Sequence, residues 1–180
     1  IGWKIYFNFL DDVEIMIKII DNFFSENDLK FIQDFALTKA FYSPKFFDEE
    51  KNKKFFYGNR WKFINNVKLF NLFKKQSELK FKIKIKKIDE YNSGIDLRNL
   101  DRFIPHQDRA KINILVMLSG PTAVTNGTVF YTKKQLDIHV GFRENRAIMF
   151  PSNKYHSNHA SNIPNLKRYT ATLFIQDYEE

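Results

Sequence analysis

The chain has 180 residues, enough for one domain with a sizeable hydrophobic core. It contains no cysteine, which excludes a disulfide framework and any thiolate metal site. Its 29 Lys and Arg against 21 Asp and Glu give a formal net charge of +8, which allows an anionic partner but does not require one.

The first 24 residues are rich in Ile and Phe, but charged residues such as Lys4, Asp11 and Glu14 interrupt them. They do not resemble a signal peptide, and no stretch of the sequence is long and apolar enough to span a bilayer. We therefore expect a cytoplasmic protein with no membrane association. Because the chain starts with Ile1 rather than Met, we expect its natural start to lie upstream.

A strand and a capped helix are predicted near the start. The strand is predicted over residues 15–20, which are mostly apolar. At the start of the helix, Ser25 is placed to accept a hydrogen bond from the Asp28 amide as its N-cap. Residues 43–44, Ser-Pro, should end this element. The face of the helix that should be buried carries four apolar residues, Leu29, Ile32, Phe35 and Ala36.

A second helix is predicted from near Asn65, on apolar residues at helical spacing, namely Val67, Phe70 and Phe73. Residues 81–86 then alternate apolar and lysine, which predicts a half-buried strand with one lysine face. Such lysines discourage edge-to-edge pairing, and a phosphate-binding stripe is the alternative interpretation. Residues 96–103 are polar and predict a loop.

The second half of the chain consists of predicted strands separated by turn residues. Residues 112–118 form an apolar run that predicts a buried strand, and Asn126-Gly127 marks a tight turn before the next strand. Residues 146–150 and 168–175 predict two more strands. Helices in the first half and strands in the second predict an α+β fold.

A possible metal-ligand pattern lies between these elements. His106 and Asp108 are two residues apart, so on a strand their side chains point to the same face. His156 follows later, after a predicted turn. Two imidazoles and one carboxylate form the 2-His-1-carboxylate set that binds Fe(II) and leaves coordination positions open. The alternative is an ordinary strand-end pair at His106 and Asp108.

The chain has two other histidines, His139 and His159. His159 competes with His156, but the two are three residues apart and would face opposite ways on a strand. His139 has no partner pattern, and we expect it at the surface.

A carboxylate-binding pair starts the last predicted strand. Arg168 and Thr170 share one face by the same alternation. A guanidinium binds a carboxylate through two parallel hydrogen bonds, and a nearby hydroxyl can add a third. Beside a metal with open positions, this pair suits a dicarboxylic cosubstrate. The alternatives are a surface cation at Arg168 and a simple β-forming residue at Thr170.

In combination these motifs, over residues 91–175, resemble the Fe(II)/2-oxoglutarate-dependent dioxygenases, in their prolyl-hydroxylase-like branch. The matching segments are Pro105-His106-Gln107-Asp108, Asn126-Gly127-Thr128-Val129-Phe130-Tyr131, Phe150-Pro151-Ser152 with His156, and Arg168-Tyr169-Thr170. The resemblance implies a double-stranded β-helix, or jelly roll, with the N-terminal helices packed on one sheet. In a single domain spanning residues 1–180, the core motifs would occupy residues 91–176 and the helical support residues 13–80.

The resemblance also implies the chemistry. Fe(II) would be held by His106, Asp108 and His156, and the distal carboxylate of 2-oxoglutarate by Arg168 and Thr170. Tyr91, in an element similar to the family's Y-x-x-G, would be a further cosubstrate contact. Reaction with O2 would release succinate and CO2 while a substrate is hydroxylated or oxidatively demethylated.

The substrate is the most open question. A protein side chain such as proline, or a small molecule, is favoured by the resemblance. Nucleic acid is possible from the basic charge, but no second arginine follows Arg168, and the position that carries it in nucleic-acid demethylases is Phe174 here. The rival hypotheses are a non-catalytic jelly-roll binding module and a hydrolytic zinc site on the same three ligands.

Overall fold

A computed structural model describes residues 17–49, 53–98, 105–123, 125–159 and 167–180. The strands of its first half are β1 (Lys18–Ile20), β2 (Ser43–Glu49), β3 (Lys53–Lys62), β4 (Lys84–Ile88) and β5 (Gly94–Arg98). Those of its second half are β6 (Ile112–Ser119), β7 (Gly127–Thr132), β8 (Gln135–Gly141), β9 (Ala147–Pro151), β10 (His156–His159) and β11 (Arg168–Glu179). The helices are α1 (Glu26–Thr38) and α2 (Val67–Phe81), and a 3-10 helix at Phe63–Asn65 precedes α2.

The strands form two antiparallel sheets. The larger has the order β1-β9-β6-β11-β5-β3-β2, with β4 paired to the far end of β11. The smaller has the order β10-β7-β8. Both helices pack on the outer face of the larger sheet, and the smaller sheet faces its inner side. The predicted α+β arrangement, with helices on one sheet, is therefore confirmed.

Strand β6 explains how two cores are built on one sheet. Its even-numbered residues, such as Ile114 and Val116, join the core under the helices. Its odd-numbered residues Leu115 and Met117 join a second core between the sheets, which also contains Phe130 of β7. Because side chains alternate along a strand, a run buried on both faces has to be apolar throughout.

Helix α1 begins where the sequence predicts. The Ser25 hydroxyl accepts a hydrogen bond from the Asp28 amide at 3.2 Å, and Ile32 and Ala36 are buried. The helix ends at Thr38, several residues before the Ser43-Pro44 stop, because the amides of Lys39 and Ala40 both bond to the carbonyl of residue 35. Of the predicted first strand, Lys18–Ile20 is confirmed, and residues 15–16 lie outside the described residues.

Helix α2 is longer than the sequence suggests. Asn66 caps its first turn, accepting from the Leu69 amide at 3.1 Å, and the helix runs to Phe81. Lys82 then adopts a left-handed conformation with φ of 57°, which ends the helix. The strand predicted from residue 81 therefore begins only at Lys84.

The lysine face of β4 is present. Ile83 and Ile85 are buried while Lys84 and Lys86 are exposed, as the alternation predicts. Lys86 pairs with Glu179 of β11.

The loop predicted over residues 96–103 is partly wrong. Residues up to Arg98 belong to β5, which lies between β11 and β3 in the larger sheet, and residues 99–103 lie outside the described residues. Asp96 looks like a loop residue in the sequence, but its carboxylate is buried against Arg60 of β3. No helix in the described ranges is both long and apolar enough to cross a bilayer.

Candidate metal centre

Backbone hydrogen bonds bring two distant histidines side by side. His106 and His156 form an isolated antiparallel bridge, in which each amide donates to the carbonyl of the other at 3.0 Å. Their ring centroids lie 4.6 Å apart. The Asp108 amide donates to the Ser152 carbonyl at 2.8 Å, which places the Asp108 side chain next to both rings.

The side chains of His106, Asp108 and His156 converge as metal ligands would. His156 Nε2 lies 3.2 Å from Asp108 Oδ2, and His106 Nε2 lies 3.8 Å from Asp108 Oδ1. The ligand atoms of the three residues are all within 4.8 Å of one another. Two neutral imidazoles and a carboxylate on one side of a cavity fit Fe(II) and leave the opposite side for other ligands.

The neighbouring groups fix how these ligands point. Asn113 Nδ2 donates to Asp108 Oδ2 at 2.6 Å, and Ser152 Oγ donates to Asn113 Oδ1 at 2.7 Å. His156 Nδ1 lies 2.9 Å from the Lys154 carbonyl. With Nδ1–H donating to that carbonyl, Nε2 presents its lone pair to a metal.

The carboxyl group of Asp108 is held in its charged form. Its burial acts to raise the pKa, but a hydrogen bond from His156 and the positive charge of the His156 and His106 rings, when these are protonated in the absence of a metal, outweigh burial, and Asn113 adds to their effect. The pKa of Asp108 therefore lies below its usual value, and the group is a carboxylate at neutral pH.

Asn113 should matter to metal affinity without touching the metal. In Asn113→Ala, Asp108 loses the amide that orients it, and we expect Fe(II) affinity to fall about 10- to 100-fold. Anaerobic competition against a chelator measures this, with Asn71→Ala as the control because Asn71 is exposed on α2. Equal affinity in the two variants would show that Asp108 needs no such support.

A cavity of about 480 Å³, including its open mouth, extends from the three ligands. Polar side chains line much of it, namely Asn113, Thr128, Asn158, Thr170 and Thr172. Leu115, Phe150 and Phe174 supply apolar wall, and Arg60, Asp96 and Arg98 form a charged region.

Arg168 lies beside this cavity and is only 2% exposed. Its Nη1 donates to Asn126 Oδ1 at 2.9 Å and to the Gly127 carbonyl at 2.8 Å, and its Nη2 donates to Asn158 Oδ1 at 2.5 Å. Asn158 follows His156 by two residues on β10, which is about 6.5 Å along a strand. The guanidinium is thus placed a short distance from the metal group.

Gly127 allows strands β7 and β8 to approach each other closely beside Arg168. A Cβ atom at this position would lie 2.2 Å from the Val140 carbonyl oxygen, so no larger residue fits between β7 and β8 here. The close approach explains the glycine of the Asn-Gly turn and keeps the Gly127 carbonyl against Arg168.

Two threonines bring hydroxyl groups to the cavity wall. Thr170 is buried on the same face of β11 as Arg168. Thr128, opposite Asn158 in the β7–β10 pair, has a buried hydroxyl with no hydrogen-bond partner in the part of the chain that the structure describes. A buried hydroxyl that lines a cavity in this state fits an oxygen-bearing ligand. Sequence reasoning missed Thr128, although its alternation with Phe130 placed it on the inner face.

The structure does not bring Tyr91 to this site. It lies on the turn before β5, is 62% exposed, and its ring packs under Lys62 Nζ at 3.4 Å. Tyr91 is therefore not part of the site that we propose.

The two remaining histidines lie elsewhere on the smaller sheet. His159 is on the opposite face of β10 from His156, and its ring centroid is 4.9 Å from that of His139. The structure thus groups His156, rather than His159, with His106 and Asp108.

A buried charged group was also missed in the sequence. Arg60 Nε donates to Asp96 Oδ1 at 2.7 Å and Arg60 Nη2 to Asp96 Oδ2 at 2.5 Å. Arg98 Nη2 lies 3.5 Å from Asp96 Oδ2. The spacing of Asp96 and Arg98, two residues apart, was the available signal, but it has meaning only once residues 94–98 are known to be a strand.

Similarity to known proteins is found among solved structures. No protein-family model matches the sequence, and no curated protein matches it significantly. Among solved structures, an oxidoreductase of the 2OG-Fe(II) oxygenase family from Burkholderia pseudomallei superposes with a TM-score of 0.63 at 12% identity, covering 91% of this chain and 84% of that one.

Two further solved structures are similar. SnoN, a non-heme alpha-ketoglutarate-dependent epimerase from nogalamycin biosynthesis, has a TM-score of 0.60 at 9% identity, covering 90% of this chain and 78% of that one. A prolyl-4-hydroxylase from Pseudomonas putida has a TM-score of 0.54 at 8% identity, covering 89% and 91%. The chain therefore has the jelly-roll fold of the 2-oxoglutarate/Fe(II) oxygenases, as its motifs predicted.

Proposed function

We propose that the protein is an Fe(II)- and 2-oxoglutarate-dependent dioxygenase. The observation that carries the proposal is the convergence of His106, Asp108 and His156 on one cavity, with Arg168 buried beside it, in a fold shared with oxygenases. A metal site alone would also suit hydrolysis, but zinc hydrolysis has no use for a buried carboxylate-binding arginine.

The three ligands would hold the iron from one side, with Asp108 oriented by Asn113 and His156 by the Lys154 carbonyl. When bound, Fe(II) and 2-oxoglutarate supply the oxidation, in which one atom of O2 enters the substrate, the other enters succinate, and CO2 is released. The protein supplies geometry and a shielded cavity.

The distal carboxylate of the cosubstrate would be oriented by Arg168 and the hydroxyls of Thr170 and Thr128. A charge pair formed by a buried guanidinium is stronger than one at the surface, because the local dielectric is low. The separation between Arg168 and the metal group, bridged by Asn158, suits a short dicarboxylic acid.

Apolar side chains shield the metal group from bulk water. The Phe150 ring meets the His156 ring edge-on at a centroid distance of 4.8 Å, and Phe130 lies behind them. An apolar surround of this kind limits solvent access to the ligands and strengthens the charge interactions there.

Hydroxylation or oxidative demethylation of a protein side chain or a small molecule is the outcome that we propose. Phe174, at the position where nucleic-acid demethylases carry a second arginine, gives less support to a nucleic-acid substrate. The complete ligand set gives less support to a non-catalytic binding module.

The test is 2-oxoglutarate-dependent succinate release by the protein reconstituted with Fe(II), screened over peptide, nucleotide and small-molecule pools. Asp108→Ala should lose this activity, while Asp137→Ala, which removes an exposed carboxylate paired with Lys154, should keep it. Normal turnover in Asp108→Ala would refute the proposed function.

A further inference from the structure

The guanidinium of Arg168 is covered on its cavity side by the side chain of Asn158. Asn158 lines the cavity, and its Oδ1 accepts a hydrogen bond from Arg168 Nη2 at 2.5 Å. Arg168 is itself only 2% exposed and is not among the residues that line the cavity. A carboxylate in the cavity therefore meets Asn158 before it meets the guanidinium.

A second carboxamide, that of Asn126, binds the same guanidinium away from the cavity. Asn126 Oδ1 accepts from Arg168 Nη1 at 2.9 Å, and Asn126 Nδ2 donates to the Pro121 carbonyl at 2.7 Å. Asn126 is fully buried and does not line the cavity. The two asparagines thus make the same kind of bond to one arginine, but only Asn158 can be reached by a ligand in the cavity.

Asn158 has an alternative partner directly across the β7–β10 pair. Its register partner is Thr128, and residues opposite each other in antiparallel strands have Cβ atoms about 4.5–5.5 Å apart. Thr128 also lines the cavity, and its buried hydroxyl has no hydrogen-bond partner among the residues that the structure describes. Because a hydroxyl accepts as well as donates, it can take an amide proton from Asn158 and still donate to a carboxylate.

The Asn158 amide oxygen and the distal carboxylate of 2-oxoglutarate are acceptors for the same guanidinium. A hydrogen bond between charged partners is about twice as strong as a neutral one, so Arg168 favours the carboxylate. The exchange still has a cost, because the bond between Arg168 and Asn158 has to break first. When a ligand needs an arrangement that only part of the protein adopts, its apparent affinity is reduced by that fraction.

We infer that Asn158 competes with the distal carboxylate of 2-oxoglutarate for Arg168 and thereby sets the affinity for the cosubstrate. This rests on the proposed function and adds a form of regulation to the same site. When 2-oxoglutarate binds, the Asn158 side chain turns from Arg168 to Thr128, and Arg168 donates to the carboxylate instead. The protein is then half-saturated at a higher 2-oxoglutarate concentration than Arg168 would give without the competitor.

The experiment measures binding of 2-oxoglutarate to the Fe(II)-loaded protein by calorimetry in the absence of O2. Asn158→Ala removes the competing acceptor and should lower the Kd about 2- to 10-fold, the range that corresponds to one neutral hydrogen bond. Asn126→Ala is the matched variant, because it removes the bond that a ligand does not replace. It should raise the Kd by a similar factor. Competition by Asn158 thus predicts opposite changes in two alanine variants around one guanidinium.

A second ligand and two further variants separate competition from damage to the site. 2-Oxovalerate has no distal carboxylate to exchange with Asn158, so its Kd should stay within about twofold in Asn158→Ala. Asn158→Asp places a charged acceptor on Arg168 and should weaken binding of 2-oxoglutarate at least about 10-fold relative to 2-oxovalerate. Asn158→Ser, with a shorter side chain, should lower the Kd for 2-oxoglutarate as Asn158→Ala does, and replaces that variant if it fails to fold.

The outcomes distinguish the two levels of inference. A wild-type protein that neither binds 2-oxoglutarate with Fe(II) nor releases succinate refutes the proposed function, and the competition with it. If the wild-type protein binds 2-oxoglutarate, an unchanged or higher Kd in the Asn158→Ala and Asn158→Ser variants overturns the competition alone and makes Asn158 a support for Arg168. An equal fall in the Kd for 2-oxovalerate also overturns it, because the distal carboxylate would then have no part in the effect.

Discussion

Replacing His156 with alanine should abolish tight Fe(II) binding and lower succinate release by more than about 100-fold, beyond the loss expected for a neighbouring support residue. His156 is the most deeply buried of the three ligands, and its Nε2 lies 3.2 Å from Asp108. Its removal leaves two protein ligands, too few to hold iron against water. Anaerobic metal titration and a succinate assay measure the two effects.

The matched control for this variant is His159→Ala. It removes the same side chain three residues away on the same strand, but from the face that contacts His139. We expect iron binding and turnover to remain close to wild type. The reverse result, with His159→Ala inactive and His156→Ala active, would mean that the ligand assignment is wrong.

Replacing Arg168 with glutamine should raise the Kd for 2-oxoglutarate roughly 100-fold, since a charge-assisted hydrogen bond contributes about 1.5–3 kcal/mol and a carboxylate can accept two from one guanidinium. The side chain also ties Asn126 to Asn158, so some loss of stability is expected as well. Binding of 2-oxoglutarate to the Fe(II)-loaded protein is measured by calorimetry in the absence of O2.

A second cosubstrate separates these two effects. 2-Oxovalerate carries the same 2-oxo acid group but lacks the distal carboxylate. The wild-type protein should prefer 2-oxoglutarate strongly, whereas Arg168→Gln should bind both weakly and about equally. If the variant still discriminates as the wild type does, the distal carboxylate is bound elsewhere.

Much of the fold could be predicted because its signals are local. The Ser25 cap and the apolar run of β6 depend on residues close together in the sequence, and both appear in the structure. Strand β5 could not be predicted in this way. Asp96 and Arg98 have loop-like character, and only a partner on another strand, Arg60, makes burial of Asp96 favourable.

The residues of the candidate site also differ in whether the sequence could predict them. The spacing of His106, Asp108, His156 and Arg168 is a sequence property, and the structure brings these residues to one cavity or its edge. The role expected for Tyr91 depended on how a turn is aimed, which the sequence does not encode locally, and the turn points its ring to solvent.

Strand β6 has a consequence for how this protein can change over evolution. Its even-numbered side chains meet the helices and its odd-numbered side chains meet the cavity and inner core. The larger sheet therefore separates the residues under the helices from the metal ligands. Substitutions in the helical layer and substitutions in the cavity can then accumulate independently of each other. The three solved structures described above keep the same fold while sharing only 8–12% of their residues with this chain.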